Sequence, residues 1–351
     1  MTGVRAAVEG TIPEVQRRTS TPASTIGPWL PEGALGASLA EGLARVETAL
    51  SEAVGSEHAF IREAAGHLMS AGGKRFRPML ALLAAQLGDP DAPGVTESAV
   101  VCELTHLATL YHDDVMDEAS VRRGAPSANS RWTNSIAILT GDLLFARASD
   151  LLADLGPEAV RIQAQTFERL VTGQIRETVG AEPGVDPIEH YLDVLADKTG
   201  SLVATSARFG ARFAGLEESL VTELTAFGEE VGVAFQLSDD LLDIVSQGGA
   251  SGKSPGTDLR EGIATLPALF ALADDDPADA RLRELVSRPV TDDGEHAEAL
   301  GLLRSSAALQ RATGVLREYA DRAQARLSGV PEGPVHDALS ALCDYVVTRT
   351  S

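Results

Sequence analysis

From Ala34 onward, apolar residues recur at the three- and four-residue spacing of amphipathic α-helices. This spacing predicts helices near residues 36–54, 57–71, 76–88, 95–118, 132–154, 157–180, 187–214, 216–247, 262–274, 278–287, 296–327 and 334–349. No alternating β pattern of useful length is present, which argues against an α/β fold. The pattern therefore predicts an all-α protein.

Two stretches inside these helices, residues 98–112 and 230–245, are apolar nearly all round. Such helices are buried centrally, so we expect a layered bundle around a central ring of helices. Residues 1–33 are instead rich in Ser, Thr, Pro and Gly. We expect a flexible N-terminal tail there and a single all-helical domain over residues 34–351.

The formal net charge of −22 disfavours nucleic acid and anionic lipid as partners. The two cysteines, Cys102 and Cys343, lie in apolar helical patterns and read as buried small hydrophobic residues. No stretch approaches the roughly 20 apolar residues of a membrane-spanning helix, so no membrane insertion is expected. The N-terminus lacks the apolar core of a signal peptide, and a cytoplasmic location is predicted.

Each of the two central stretches runs into a D-D-x-x-D motif. Asp113 and Asp117 are four residues apart and project from one helix face, and Asp239 and Asp243 repeat this arrangement. Mg²⁺ prefers one or two carboxylates together with phosphate oxygens and water. Two opposed faces of this kind would hold Mg²⁺ around one diphosphate; the alternative is a pair of solvated acidic helix ends.

Basic residues cluster in three short segments: Gly72–Pro78, Arg122–Gly124 and Lys198–Gly200. Lys74 and Arg77 are three apart and could share a helix face and bind one anion. Lys198-Thr199-Gly200 interrupts a helix and predicts a kink with an inward lysine. Taken one by one, each of these charges could equally be an ordinary exposed residue.

In chain order, these motifs resemble those of the trans-prenyl diphosphate synthase family. The matches are GGKRFRP, HDDVMDEASVRRG, GD, KTG, FQLSDDLLD, GKSPGTDLREG and TLP, and the resemblance spans roughly residues 36–350. It implies an isoprenoid-synthase-type bundle of antiparallel helices around a central cavity, as a homodimer. It also implies head-to-tail (1′–4) condensation of isopentenyl diphosphate onto an allylic diphosphate such as farnesyl or geranylgeranyl diphosphate.

The resemblance also implies roles by position. Metal binding, with about three Mg²⁺ per active site, falls to Asp113, Asp117 and Asp239, with Asp243 in support; Asp114 and Asp240 complete the catalytic set. The isopentenyl diphosphate site takes Lys74, Arg77, His106 and Arg123, and the allylic diphosphate site takes Arg122, Lys198, Thr199 and Gln236. One position departs from the family pattern, because Ile263 stands where a lysine is usual; Lys253 is a candidate replacement.

Product length should depend on the residues four and five positions before Asp113, which are Thr109 and Ala108. In the family a bulky aromatic side chain there stops the growing chain early. The small pair therefore indicates a deeper tunnel and a medium- or long-chain polyprenyl product. Close packing between helices is the alternative explanation for two small residues.

Three other functions stay open. A short-chain farnesyl or geranylgeranyl diphosphate synthase would use the same motifs. A terpene cyclase of related fold would not need GGKRFRP, and its second motif usually departs from D-D-L-L-D. A non-catalytic subunit of a hetero-oligomeric synthase would usually have lost the aspartates that are present here.

Overall fold

The computed structural model describes residues 32–246 and 255–350. Its α-helices are α1 Ala34–Ala53, α2 Ala59–Ser70, α3 Phe76–Ala85, α4 Val95–Met116, α5 Ala128–Arg131, α6 Asn134–Leu155, α7 Pro157–Val179, α8 Pro187–Leu195, α9 Ser201–Phe213, α10 Glu218–Val245, α11 Thr257–Glu261, α12 Leu266–Leu272, α13 Ala280–Val286, α14 Asp293–Ser305, α15 Ala307–Arg326 and α16 Pro334–Thr348. A π-helical turn, Ala196–Gly200, joins α8 to α9. The all-α prediction is confirmed.

The helices α4, α9 and α10 form the centre of the bundle. The middle one, α9, packs against both α4 and α10, while α6 covers α4 and α15 covers α10. Buried side chains form a core that runs from Leu39 to Val346. The expectation that residues 98–112 and 230–245 lie centrally is confirmed by their many buried positions.

The predicted helix boundaries fail where a local cap or turn intervenes. Residues 296–327 form two helices, because Ser306 ends α14 and caps α15 by accepting a hydrogen bond from the Leu309 N–H at 3.2 Å. The stretch predicted as 187–214 is divided by the π-helical turn.

A small hairpin between α4 and α5 is absent from the sequence-based prediction. Its strands, β1 Val121–Arg122 and β2 Ala125–Pro126, are antiparallel. The turn residues Arg123 and Gly124 have φ values of 55° and 76°, as a two-residue type I′ hairpin turn requires. Strands of two residues are too short to show alternation, which is why the pattern does not reveal them.

Across residues 32–246 and 255–350, none of the helices combines the length and the apolar character needed to span a bilayer.

Candidate active site

The first acidic cluster lies where the central helix α4 ends. Asp113 is half-buried in the last turn, and Asp117 follows as the exposed C-cap residue. Burial raises the pKa of Asp113 to about 6; nearby Lys198 opposes this shift and Asp117 adds to it. Ionising Asp113 is costly because its side chain is partly buried and lies near Asp117. A bound cation would stabilise the ionised form.

Asp114, the second residue of this motif, has a different environment. Its side chain is fully buried, and its Oδ1 accepts a hydrogen bond from Arg122 Nε at 2.6 Å. Its Oδ2 has no partner among the described residues. Arg122 also approaches Asp117, with 3.6 Å between Nη2 and Oδ2. The hairpin thus places Arg122 between two carboxylates, and Asp114 holds it there.

The second acidic cluster lies near the end of α10, and its two outer carboxylates already have partners. Asp239 is paired with Arg349, just after α16, at 2.8 Å. Asp243 accepts a hydrogen bond from the Asp258 N–H at 3.2 Å. Nothing in the local sequence pattern points to Arg349, which sequence reasoning therefore missed.

Asp240, between them, is buried. It accepts hydrogen bonds from the Tyr191 hydroxyl and from Gln236 Nε2, the latter at 3.0 Å. Burial raises its pKa to about 6, although both hydrogen bonds oppose the shift. Gln236 in turn lies 3.5 Å from the Thr199 hydroxyl, measured from Oε1 to Oγ1.

The predicted kink at Lys198 is present as the π-helical turn. A Cβ atom on Gly173 of α7 would lie 2.7 Å from Lys198 N, so only glycine allows α7 to approach the turn this closely. Asp197 anchors the turn through ion pairs with Arg169 at 3.0 Å and Arg176 at 3.2 Å. Such π turns frequently occur at functional sites.

Lys198 itself points toward acidic neighbours. Its Nζ lies 2.5 Å from Glu177 Oε2, and it lowers the pKa of Asp113 by its charge. Glu177, on α7, adds negative charge to the same end of the site and was not found from the sequence. The combination places one lysine among several carboxylates.

The basic segment before α3 differs from the prediction. The helix begins at Phe76, and its N-cap Arg75 has a left-handed backbone with φ 47°. Lys74 therefore lies in the turn, exposed, and does not share a helix face with Arg77. The prediction of a shared face is wrong because the helix starts after Lys74. Arg75 is held by Glu47 at 2.5 Å and by the buried Glu103 at 3.1 Å.

Arg77 and His106 lie close together behind this turn, and with Arg123 they form what we call the basic pocket. The Nε of Arg77 is buried and has no hydrogen-bond partner among the described residues. Burial lowers the pKa of His106 well below its usual value, and the charges of Arg77, Arg123 and other nearby arginines lower it further. His106 is therefore neutral and can donate or accept a hydrogen bond.

Arg123 completes this basic pocket from the hairpin. Its Nη1 donates hydrogen bonds to the carbonyl oxygens of Leu68, at 3.1 Å, and of Gly72. Arg75, Arg77 and Arg123 all interact with the single buried carboxylate of Glu103. Arg75 also pairs with Glu47, so the charge of Glu103 does not fully neutralise Arg77 and Arg123. An arrangement of this kind favours an anion.

The two candidate chain-length residues have different surroundings. Thr109 is partly accessible, on the Asp113 face of α4, whereas Ala108 has no accessible surface. A Cβ atom on Gly141 of α6 would lie 3.0 Å from the Ala108 carbonyl oxygen, so α4 and α6 are in close contact there. One turn before Thr109, the buried Thr105 hydroxyl accepts a hydrogen bond from Gln163 at 2.7 Å.

Ile263 stands where the family usually has a lysine, and Lys253 is the candidate replacement for that lysine. Ile263 is about half exposed, with 48% of its surface accessible, just after α11. Its N–H donates a hydrogen bond to the Asp258 carbonyl oxygen at 2.8 Å. The candidate replacement Lys253 lies outside the described residues, and its role stays a prediction.

The chemistry of the acidic side chains fits a hard divalent cation. Carboxylate oxygens from α4 and α10 are the donors that Mg²⁺ prefers. In the part of the chain that the structure describes, no three His, Cys, Asp or Glu side chains are grouped closely enough to hold a metal alone. Such a donor set fits an ion that keeps water and shares the oxygens of a diphosphate.

Comparison with known proteins identifies the family. The family model described as polyprenyl synthetase matches residues 58–303. The chain belongs to this family. It is 51% identical to the nonaprenyl diphosphate synthase of Mycobacterium tuberculosis over 94% of this chain and 99% of that protein. It is 38% identical to heptaprenyl diphosphate synthase component 2 of Geobacillus stearothermophilus, over 89% of this chain and 97% of that protein.

The solved structures agree with these sequence matches. Geranylgeranyl pyrophosphate synthase from Corynebacterium glutamicum, complexed with calcium and isoprenyl diphosphate, superposes with a TM-score of 0.83 at 45% identity, covering 92% of this chain and 99% of that one. A decaprenyl diphosphate synthase from Rhodobacter capsulatus gives a TM-score of 0.82 at 36% identity, covering 90% and 98%. The predicted isoprenoid-synthase fold and the predicted prenyltransferase class are both confirmed.

Proposed function

We propose that this prenyltransferase condenses isopentenyl diphosphate head-to-tail (1′–4) onto an allylic diphosphate at the site between α4 and α10. The proposal rests on the charges of the site, because one part of it has an excess of negative side chains and another part has an excess of positive ones. Carboxylates outnumber cations around Asp113 and Asp239, whereas arginines outnumber carboxylates around Arg77. The part around Asp113 and Asp239 would therefore bind metal cations, and the part around Arg77 would bind an anion.

The residues divide the chemistry between them. Arg77, whose buried Nε has no partner within residues 32–246 and 255–350, and neutral His106 bind the diphosphate of isopentenyl diphosphate. Lys198 and Thr199 hold the diphosphate of the allylic substrate, which leaves when the allylic C–O bond breaks. The apolar core around α4 excludes water while the allylic cation exists. The isopentenyl double bond attacks this cation, and the new cation loses a proton to the departed diphosphate to give the lengthened allylic diphosphate.

Mg²⁺, about three ions per active site, is the proposed metal. Asp113, Asp117 and Asp239 would hold it, with Asp243 in support. Bound there, it supplies neutralising charge to the leaving diphosphate.

We also propose a medium- or long-chain all-trans product. Relatives named nonaprenyl and decaprenyl diphosphate synthases support it, and so does the small Thr109 on the Asp113 face. A short-chain product is the main alternative, because several similar structures are geranylgeranyl pyrophosphate synthases. Product length therefore needs direct measurement.

A homodimer is proposed as the working assembly. The outer face of α6 exposes Ile138 and Leu139, with 43% and 62% of their surface accessible. This exposed aliphatic pair is the part of α6 that we assign to a contact between two copies of the chain. Multi-angle light scattering on the wild type and on Leu139→Asp tests this, with a monomeric wild type as the contradicting result. The cytoplasmic location and the domain limits stay predictions.

Chain extension by purified protein tests the proposed reaction. The protein is incubated with Mg²⁺, labelled isopentenyl diphosphate and farnesyl diphosphate, and the products are separated by length. Extension to products longer than geranylgeranyl diphosphate supports the proposal, and extension that stops there indicates a short-chain synthase. Cyclic hydrocarbon formed without isopentenyl uptake indicates a cyclase, and folded protein without turnover indicates a non-catalytic subunit.

A further inference from the structure

A tyrosine outside every recognised motif reaches the second acidic cluster. Tyr191 lies on α8, 49 residues before Asp240, and its hydroxyl donates a hydrogen bond to Asp240 Oδ2. Gln236 Nε2 donates to the other oxygen, Oδ1, at 3.0 Å. Both oxygens of this buried carboxylate are therefore engaged by protein donors, and Asp240 is less accessible than Asp239 and Asp243.

These hydrogen bonds determine how the Gln236 amide is oriented. A carboxylate only accepts hydrogen bonds, so the amide nitrogen must face Asp240. The amide oxygen then faces the Thr199 hydroxyl, 3.5 Å away. Tyr191, Asp240, Gln236 and Thr199 thus form one polar chain from α8, through α10, to the π-helical turn.

We propose that Tyr191 is a positioning residue: by holding Asp240 as an acceptor, it orients Gln236 and Thr199 toward the allylic diphosphate, and Asp240 is not itself a metal ligand. Tyr191 touches no substrate in this scheme. The inference rests on the proposed function, since it assigns these groups to the allylic end of that site. It revises the sequence-based view of Asp240 as part of the catalytic set.

The physical reason is the cost of an unpaired acceptor. Without the Tyr191 hydroxyl, Asp240 Oδ2 is a buried carboxylate oxygen lacking its donor. The carboxylate gains by rotating toward water or toward another donor, and either movement releases Gln236. The allylic end is then disordered, whereas the pocket of Arg77 and His106, built from α3 and α4, keeps its own contacts.

The first test is steady-state kinetics of Tyr191→Phe with each substrate varied in turn. We expect the KM for the allylic diphosphate to rise about tenfold, while the KM for isopentenyl diphosphate stays within about twofold. Tyr111→Phe is the matched control. It also removes a buried phenol hydroxyl, which donates to the Ala64 carbonyl oxygen at 2.6 Å, away from Asp240. The control should leave the allylic KM unchanged.

A double-mutant cycle separates positioning from a general structural role. If Tyr191 acts through Gln236, then adding Tyr191→Phe to Gln236→Ala raises the allylic KM no further. Independent effects that multiply overturn the proposal, as does an unchanged allylic KM in a folded Tyr191→Phe protein. An equal rise in both KM values would also overturn it.

Asp240→Asn gives a second variant should Tyr191→Phe fold poorly. Asparagine has only one acceptor oxygen, so it cannot accept from both Tyr191 and Gln236 as the carboxylate does, and one of the two hydrogen bonds must be reversed or lost. We expect a raised allylic KM with unchanged affinity for Mn²⁺ alone, measured by calorimetry. Weakened Mn²⁺ binding makes Asp240 a metal ligand and overturns the proposal. Wild-type protein that binds Mn²⁺ and inorganic diphosphate but extends no chain would instead contradict the proposed function.

Discussion

Glu103 is the residue whose replacement tests the charge balance of the basic pocket most sharply. Its buried carboxylate pairs with Arg75 at 3.1 Å, and both side chains are less than a tenth exposed. It is also the negative charge that acts on Arg77 and Arg123. Glu103→Gln keeps the size and shape of the side chain, removes its charge and exchanges one acceptor oxygen for an NH₂ donor.

The expected loss of stability is large. Removing one partner of a buried ion pair costs about 3–5 kcal/mol, because the other charge stays buried. An unfolding entropy of about 2.1 cal/mol/K per residue over this chain gives about 0.7 kcal/mol/K, so Tm should fall by about 4–7 °C. Glu47→Gln is the matched control, since it removes the other partner of Arg75. Glu47 is 45% exposed, so its loss should cost only about 0–1 kcal/mol.

The assay is differential scanning fluorimetry with and without isopentenyl diphosphate. Isopentenyl diphosphate should raise the Tm of Glu103→Gln more than it raises that of wild type, because its diphosphate replaces the missing negative charge. The KM of Glu103→Gln for isopentenyl diphosphate should fall for the same reason. Equal Tm losses for Glu103→Gln and Glu47→Gln, or substrate stabilisation no greater than that of wild type, would refute this reasoning.

Three further predictions concern the other end of the site. Thr109→Phe should shorten the products seen on chromatography without loss of stability. Ala108→Phe should also lower Tm, because Ala108 has no accessible surface beside α6. An unaltered product ladder for Thr109→Phe would exclude this tunnel. The raised pKa of Asp113, about 6, means that the folded state binds more protons than the unfolded state between about pH 4 and 6. The free energy of unfolding should therefore fall as pH rises through that window, and Asp113→Asn or Mg²⁺ should reduce the fall; denaturant titrations with equal slopes in wild type and Asp113→Asn would contradict this. Ile263→Lys should lower the KM for the allylic diphosphate by adding a cation, and an unchanged KM would show that the family departure has no effect there.

The local parts of the site could be predicted from the sequence. Asp113 and Asp117, four residues apart on an apolar helix, must share a face whatever the rest of the chain does. The interruption at Lys198 was likewise visible from Lys-Thr-Gly inside a helical pattern. The predicted helix start near residue 76 was right, and the shared face of Lys74 and Arg77 was wrong because Lys74 precedes that start; the left-handed N-cap at Arg75, a non-glycine residue, has no sequence signature.

The parts that were missed depend on distant residues. Tyr191 meets Asp240 across 49 residues, and Arg349 contacts Ser238 across 111. Such contacts follow from how α8, α10 and α16 pack together, which periodicity within one helix cannot reveal. Similarly, Glu103 is one polar residue in an apolar helical stretch, and only the tertiary structure brings it beside Arg75, Arg77 and Arg123.

Binding of the two substrates with and without metal distinguishes the anion-binding part of the site from its metal-binding part. Calorimetry would compare isopentenyl diphosphate with a non-ionisable allylic thiolodiphosphate, each in EDTA and in Mg²⁺. We expect isopentenyl diphosphate to bind without metal, with its binding weakened by Arg77→Gln. The allylic analogue should bind only with Mg²⁺, with its binding weakened by Asp113→Asn. Equal binding of the allylic analogue in EDTA, or a strict Mg²⁺ requirement for isopentenyl diphosphate, would contradict the division of the site into an anion-binding pocket and a metal-binding end.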